Sequence, residues 1–285
     1  MSPDGVRATP EGTLVDRALR ALAQDATDSL TLARDVLGIR RATRTIAERV
    51  AAALLGADPR VRQLADGRWS LAQEERGATR LDSCAFAVVD VETTGSRPTK
   101  GDRVTEVAVV VVSGGDVQVV LDTLVNPERP IPRFVSALTR ITDEMVRAGP
   151  TFDEVADDLL NALAGRVFVA HNMRFDWGFL SQELRRTRHV ALEGPRLCTV
   201  QLARRLVPQL RSRTLDSLAE YFGVEIGERH RACGDAVATA HILRKLLGLA
   251  EERGAVTVAD LRELGRPRPR RKKKRTALPT PMSEL

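Results

Sequence analysis

The chain has 285 residues, a formal net charge of +6, 43% hydrophobic residues and only 4% aromatic ones. That is room for one large domain and one small one, and so few aromatics argue against base stacking on an aromatic-rich sheet as the main mode of nucleic-acid binding. Cys84, Cys198 and Cys233 are odd in number and lack CxxC spacing, which excludes a disulfide framework or a cysteine-rich zinc site and fits reduced thiols in a cytoplasmic protein. No apolar run reaches the length of a membrane span, so no membrane partner is expected, and the polar, acid-bearing start is unlike a signal peptide.

In chain order, residues 1–12 read as a polar N-terminal tail and residues 13–73 as a compact unit. Leu14, Val15, Ala18, Leu19 and Leu22 recur at helical spacing. A second helix is expected from Ser29 to Val36, before Gly38. A third is expected from Ala42 to Leu55, before Gly56. Arg60 to Leu64 and Arg68 to Leu71 flank Ala65-Asp66-Gly67, a β-hairpin with a glycine in its turn. Three helices followed by a hairpin is winged-helix order, and in a helix-turn-helix arrangement the third helix would enter the major groove of DNA. Arg40, Arg41, Arg44 and Arg49 at or near the start of that helix fit this use; a small dimerisation or regulatory module is the alternative.

Residues 74–83 are charged and weakly patterned, as a linker would be. Within residues 84–250, strands are expected at Cys84 to Val91, Val104 to Val112, Val117 to Val125 and Arg166 to Ala170. Thr151 and Glu154 are spaced as a capping box at a helix start. Further helices are expected at Phe175 to Arg185, Thr199 to Leu206, Thr214 to Tyr221 (closed by Gly223) and Ala232 to Leu249. This order predicts an α/β domain with a mixed sheet. Residues 251–265 form a short C-terminal extension with a helical piece near Val258 to Leu264, and residues 266–285 a basic tail expected to be disordered. Arg266 to Arg275 holds eight basic residues and no acid; without them the net charge of +6 becomes −2. The basicity is therefore concentrated in a tail suited to polyanions through counterion release, or simply to solvent.

Three short segments carry the chemistry: Asp90-Val91-Glu92-Thr93-Thr94-Gly95, His171-Asn172-Met173-Arg174-Phe175-Asp176 and His230-Arg231-Ala232-Cys233-Gly234-Asp235. Each places carboxylates beside core-type sequence, where they are costly unless paired or bound to a cation. Asp90 and Glu92, two residues apart on a strand, project to one face, and carboxylate oxygens suit a hard cation such as Mg²⁺ or Mn²⁺. Asp90, Glu92, Asp176 and Asp235 together can hold two such ions, with His230 as the general base for a water. Trp177 and Phe175 read as core, Cys233 as packing, and Arg174 as a phosphate contact or a solvated helix start.

In this order the segments resemble the DnaQ-like exonucleases of the DEDDh type, in particular the proofreading epsilon subunit of bacterial DNA polymerase III and the exonuclease domain of the Gram-positive replicative polymerase. The resemblance spans roughly Phe86 to Leu247 and includes Leu138-Thr139-Arg140-Ile141-Thr142-Asp143-Glu144-Met145, Leu197-Cys198-Thr199 and Arg213-Thr214-Leu215-Asp216-Ser217-Leu218-Ala219. It implies a ribonuclease-H-like fold and two divalent metal ions, Mg²⁺ or Mn²⁺. It also implies release of 5′-mononucleotides from the 3′ ends of DNA, single-stranded or frayed. By matching position it makes Asp90, Glu92, Asp176 and Asp235 the metal ligands and His230 the base. It sets the backbone around Thr93 and Thr94 against the terminal nucleotide, with Asn172 and Thr139 on the substrate side. Arg140 departs from the family pattern, standing where a glycine is common. The unit at residues 13–73 is absent from the epsilon subunit itself, which points to a stand-alone or repair-linked enzyme whose protein partner would be a DNA polymerase or a repair protein. An RNA 3′-trimming exonuclease is the alternative within enzymes; a DNA-binding regulator with an inactive nuclease scaffold would need a missing ligand or base, and none is missing.

Overall fold

The apolar runs of the sequence form the middle of one sheet in a computed structural model, which describes residues 5–10, 12–23, 25–58, 60–72 and 79–265. The chain begins with β1 (Arg7–Pro10), α1 (Leu14–Leu22) and α2 (Ser29–Thr31), which continues as a π-helical stretch over Leu32–Val36. Then come α3 (Arg44–Leu55), β2 (Val61–Gln63) and β3 (Trp69–Leu71). The larger unit runs through β4 (Ala85–Thr93), β5 (Val104–Ser113), β6 (Asp116–Leu124), α4 (Arg133–Thr139), α5 (Asp143–Arg147), α6 (Phe152–Leu163), β7 (Val167–Ala170), α7 (Arg174–Arg188), β8 (Val190–Glu193), β9 (Arg196–Cys198), α8 (Thr199–Leu206), α9 (Leu215–Phe222), α10 (Ala232–Glu251) and α11 (Val258–Gly265).

The main sheet has the order β6-β5-β4-β7-β9. β4 pairs antiparallel with β5 and parallel with β7, and β7 pairs parallel with β9, so the sheet is mixed. Alternation along β4 separates two cores. Phe86 and Val88 pack with α8, α9 and α10 on one face, and Ala87, Val89 and Val91 with α6 and α7 on the other. Thr151 and Glu154 make the expected capping box of α6, and Gly223 ends α9 at φ 64°, a left-handed conformation that glycine adopts without a Cβ clash.

The first unit has its own core of Ala18, Leu22, Leu32, Ala51, Leu55 and Trp69, with the Trp69 indole donating to Ser29 Oγ at 3.1 Å. Its three helical stretches and hairpin fall where the sequence places them; the third helix starts at Arg44, two residues late, because Thr43 caps it. Three assignments need correction. Residues 1–12 are not all tail: β1 pairs with β8, Arg7 opposite Glu193. Its partner lies far along the chain and its four residues show no apolar period, so the pairing has no local signal. Residues 80–83 are not linker: Arg80 bridges Thr257, and Leu81 lies in the main core. The extension at 251–265 is core as well, because Ala255, Val258 and fully buried Leu261 pack in that same cluster. Residue 73 at the end of the first unit, residues 74–78 of the linker, and the basic tail 266–285 lie outside the described residues. Among the described residues, no helix is long and apolar enough to cross a membrane.

Candidate active site

β4 reaches the edge of its core at Asp90. Asp90 and Glu92 continue the alternation of Phe86 and Val88, so they emerge on the face covered by α10, which supplies Asp235 from its first turn. A register shift between Glu92 and Thr93 ends the regular pairing with β5 there. One carboxylate oxygen from each of Asp90, Glu92 and Asp235 lies within 4.8 Å of the other two. Such a concentration of like charge is unfavourable in a low-dielectric setting, and after burial it contributes to the titration of Asp90 and Glu92. Burial, reinforced by Asp176, Glu92 and Asp235, holds the Asp90 carboxyl well above the usual carboxylate range. Burial, with Asp235 and Glu106 nearby, pushes Glu92 up to about 7. Asp235 is raised by burial against the opposing pull of Arg229.

Asp176 stands outside that group of three. It comes from α7, on the opposite face of the sheet, and is buried, with its carboxyl close to the backbone amide of Val91. Burial raises its pKa well above the carboxylate range even though that amide and its own favour the charged form. His171 lines a cavity with Asp90 and Asp235; its Nδ1 lies 2.9 Å from Thr199 Oγ1, and burial depresses the imidazole to about 4, so it is neutral at ordinary pH.

The loop before α10 brings a cation into the acids. The Arg229 guanidinium donates to Asp235 Oδ2 and also forks onto Asp216 at 2.8 and 3.2 Å. The backbone amide of His230 donates to the same Asp235 oxygen at 3.3 Å, with His230 at φ 60°. Two devices hold this loop. A Cβ on Gly234 would stand 2.3 Å from the Glu228 carbonyl oxygen, so only glycine lets the loop lie against the start of α10. Buried Glu106, opposite Glu92 across β4 and β5, accepts from Arg231 at 2.6 and 3.0 Å and from the Ala232 amide at 2.8 Å. Neither Arg229 nor Glu106 is singled out by the sequence reading. Glu106 did leave a signal, as the one acid inside the run Val104 to Val112.

On the substrate side the expectations divide. Asn172 is exposed at φ 74° and lines a cavity of about 590 Å³ together with Asp90, Asp235 and Arg229. Thr93, Thr94 and Thr139 are buried, and their hydroxyls are committed locally: Thr93 donates to the Gly95 carbonyl, Thr94 accepts from the Arg103 amide, and Thr139 bonds at both ends of its own turn. The Thr94 amide is likewise taken, by the Arg103 carbonyl. Arg140 ends α4 at φ 61°, which explains why glycine is common at such a position, and its guanidinium donates to the Arg229 carbonyl at 2.8 Å.

The donor set fits a hard divalent cation. Its ligands are all oxygens, their mutual repulsion is relieved by a positive ion, and buried Asp235 Oδ1 has no hydrogen-bond partner.

The chain is 35% identical over 179 residues to the "3'-5' exonuclease DinG" of Bacillus subtilis, covering 63% of this chain and 19% of that protein. It is 40% identical over 197 residues to a "DNA polymerase III subunit epsilon-like protein" of Rhodobacter capsulatus, covering 66% of this chain and 28% of that protein. It is 35% identical over 175 residues to the B. subtilis "DNA polymerase III PolC-type", covering 61% of this chain and 12% of that one. The chain thus spans less than a third of the length of each of these relatives. E. coli Exonuclease I, solved in complex with a dA16 oligonucleotide, superposes with a TM-score of 0.50 at 20% identity, over 60% of this chain and 42% of that one, which supports the ribonuclease-H-like architecture. The model of the exonuclease family RNase_T matches residues 87–243, more than half of the chain and all four acids, and the chain belongs to that family.

Proposed function

We propose that the chain is a metal-dependent 3′-to-5′ exonuclease that removes 5′-mononucleotides from single-stranded or frayed DNA 3′ ends. The observation that carries this reading is the convergence of Asp90, Glu92 and Asp235, raised in pKa by burial, beside the loop that bears His230. Asp90, Glu92 and Asp235 would hold one divalent ion, and Asp176 with Asp90 a second, Mg²⁺ or Mn²⁺. Bound there, such ions activate a water and withdraw charge from the attacked phosphate. His230 is the base that takes the proton of the attacking water, a role worth about 10²–10⁴ in rate. Its backbone amide on Asp235 and the Glu106–Arg231 pair hold the loop that carries it, which supports this role. Arg229, within reach of Asp235 and lining the cleft, adds positive charge where the phosphate would lie.

The unit at residues 13–73 is proposed as a winged-helix-like module that holds duplex DNA near the cleft. Exposed Arg40, Arg41, Arg44 and Arg49 lie at or near the start of its third helix, although Arg44 is paired with Glu48 at 3.1 Å.

The test is degradation of 5′-labelled single-stranded DNA and matched RNA with Mg²⁺, Mn²⁺ or EDTA, using wild type and His230→Ala. A metal-dependent ladder shortening from the 3′ end of DNA and lost in the variant supports the reading. Preference for RNA moves the protein to RNA processing, and no cleavage of either refutes the enzyme.

A further inference from the structure

Arginines in this protein are commonly paired: Arg103, Arg186, Arg188 and Arg231 each meet a carboxylate within 4.0 Å. Arg174, Arg196, Arg204, Arg211 and Arg213 do not; among the described residues none of the five forms an ion pair with a carboxylate. Arg213 donates only to the carbonyls of Arg211 and Pro208, and its Nε is buried without a partner. Arg196 lies with its guanidinium 4.4 Å from the centroid of the Trp177 ring, and burial lowers its pKa to about 10, the mark of a cation short of counter-charge.

These five are gathered in one region. Arg204, Arg211 and Arg213 line the cavity that contains Asp90 and Asp235. Arg174 and Arg196, with Arg262, line a second cavity of about 340 Å³ beside β9 and α11, in which Asp25 is the one carboxylate among the described residues. The same two stretches of chain wall both cavities: His171 and Asn172 face the first and Met173 and Arg174 the second, while Val200 and Arg204 of α8 face the first and Gln201 the second. The cavities are therefore neighbours across the turn 171–174 and the start of α8.

We propose that these arginines form one track for the phosphodiester backbone of the strand being degraded. It would lead from the catalytic acids, over the 171–174 turn, to the cavity beside β9. The proposal rests on the nuclease reading and adds the path of the strand away from its 3′ end. Guanidinium groups without acid partners bind phosphate without first breaking an ion pair, and planar donors suit phosphate oxygens. The stack on Trp177 holds the Arg196 guanidinium in place beforehand, which lowers the ordering cost of the contact. Asp25 tempers the charge of the second cavity, so the track would bind loosely enough for the strand to advance after each cleavage.

Anisotropy of 5′-labelled single-stranded DNA in EDTA reads binding without hydrolysis. For Arg174→Gln and, separately, Arg196→Gln, affinity for a strand of about ten nucleotides should fall roughly fivefold, with a salt slope shallower by about 0.7. Affinity for a trinucleotide, too short to reach the second cavity, should fall far less. Arg174 is exposed, so its variant keeps the test valid if loss of the Trp177 stack unfolds the other. Unchanged affinity, or an equal loss on both lengths, overturns the track. A wild type that hydrolyses no nucleic acid yet loses length-dependent binding in the variants would refute the nuclease reading and leave the track standing. Active wild type with indifferent variants would do the reverse.

Discussion

Arg229 and Asp235 are in direct contact: the guanidinium donates to the Oδ2 of an aspartate that also belongs to the acidic cluster, while Asp216 holds the other side of the same guanidinium. Arg229 thus supplies positive charge to the acidic cluster and would compete with a metal ion for Asp235 Oδ2. Arg229→Gln should tighten Mn²⁺ binding by about tenfold, or ~1.4 kcal/mol, because both the competitor and its repulsion of the cation are removed. Isothermal titration calorimetry measures this. Unchanged affinity would mean that Arg229 swings fully onto Asp216 at no cost.

The acidic cluster is strained by its own charge when metal-free. Asp90→Asn removes one of the repelling groups and should stabilise the metal-free protein by ~1–2 kcal/mol while removing the rise in melting temperature produced by Mg²⁺ or Mn²⁺. Asp90→Ala and Asp235→Ala should abolish hydrolysis with the fold retained. Melting curves with and without metal check the first expectation and the strand-shortening assay the second; full activity in either alanine variant removes that residue from the mechanism.

The pH dependence follows from Glu92. A carboxyl with a folded pKa of about 7 against an ordinary 4.5 binds more protons in the folded state across that window. Its contribution to stability is therefore complete below 4.5 and is lost as pH rises toward 7. His171, depressed from 6.5 to about 4, has the opposite slope over part of the same range. Denaturant titrations of wild type and Glu92→Gln isolate the carboxyl: wild-type stability minus that of the variant should decline between pH 4.5 and about 7 in EDTA. Saturating metal should reverse the decline, since ligands must be deprotonated to bind. A flat difference in EDTA would remove Glu92 from the titrating set.

Glu106 holds the His230 loop from below. Glu106→Ala leaves Arg231 with only the exposed Glu228 at 3.5 Å as a carboxylate partner and the Ala232 amide without its acceptor, and should cost ~2–4 kcal/mol by chemical denaturation. Glu106→Gln keeps the shape and should fold better, yet lower kcat more than it raises KM, because the misplaced group would be the proposed base, His230, and not a substrate contact. Equal effects on both constants would argue that Glu106 stabilises the fold without placing His230.

The basic tail tests a separate electrostatic term. Deleting residues 266–285 removes the eight basic residues of Arg266 to Arg275 and should weaken DNA binding at low salt, with little effect at high salt or on turnover. Filter binding across a salt series checks this, and a salt-independent loss would point to a shape-specific role.

Periodicity and turn chemistry made most elements legible. The run Ala85 to Val89 announces a buried strand, Thr151 with Glu154 a helix start, and Gly223 a helix end, because each is decided by a few adjacent residues. The short strands β1 and β8 were not legible, since four residues without an apolar period become strands only through a distant partner. The same limit hid the place of Leu81 and Leu261, which read as linker and extension until their burial in the main core joins them.

The site divides in the same way. The sequence by itself determined which residue types stand at which intervals: Asp90 and Glu92 two apart on a strand, Asp176 and Asp235 at the starts of helices, and His230 five before Asp235. Only the tertiary structure decided that α10 lies on the face of Asp90 and Glu92, that Asp176 approaches from the other face, and that the hydroxyls of Thr93, Thr94 and Thr139 are turned inward. Only it revealed that Arg229 answers the charge of Asp235. Period-two and period-3.6 patterns are local consequences of backbone geometry, whereas which charged groups share a buried volume depends on how separate elements pack, and no spacing along the chain records that.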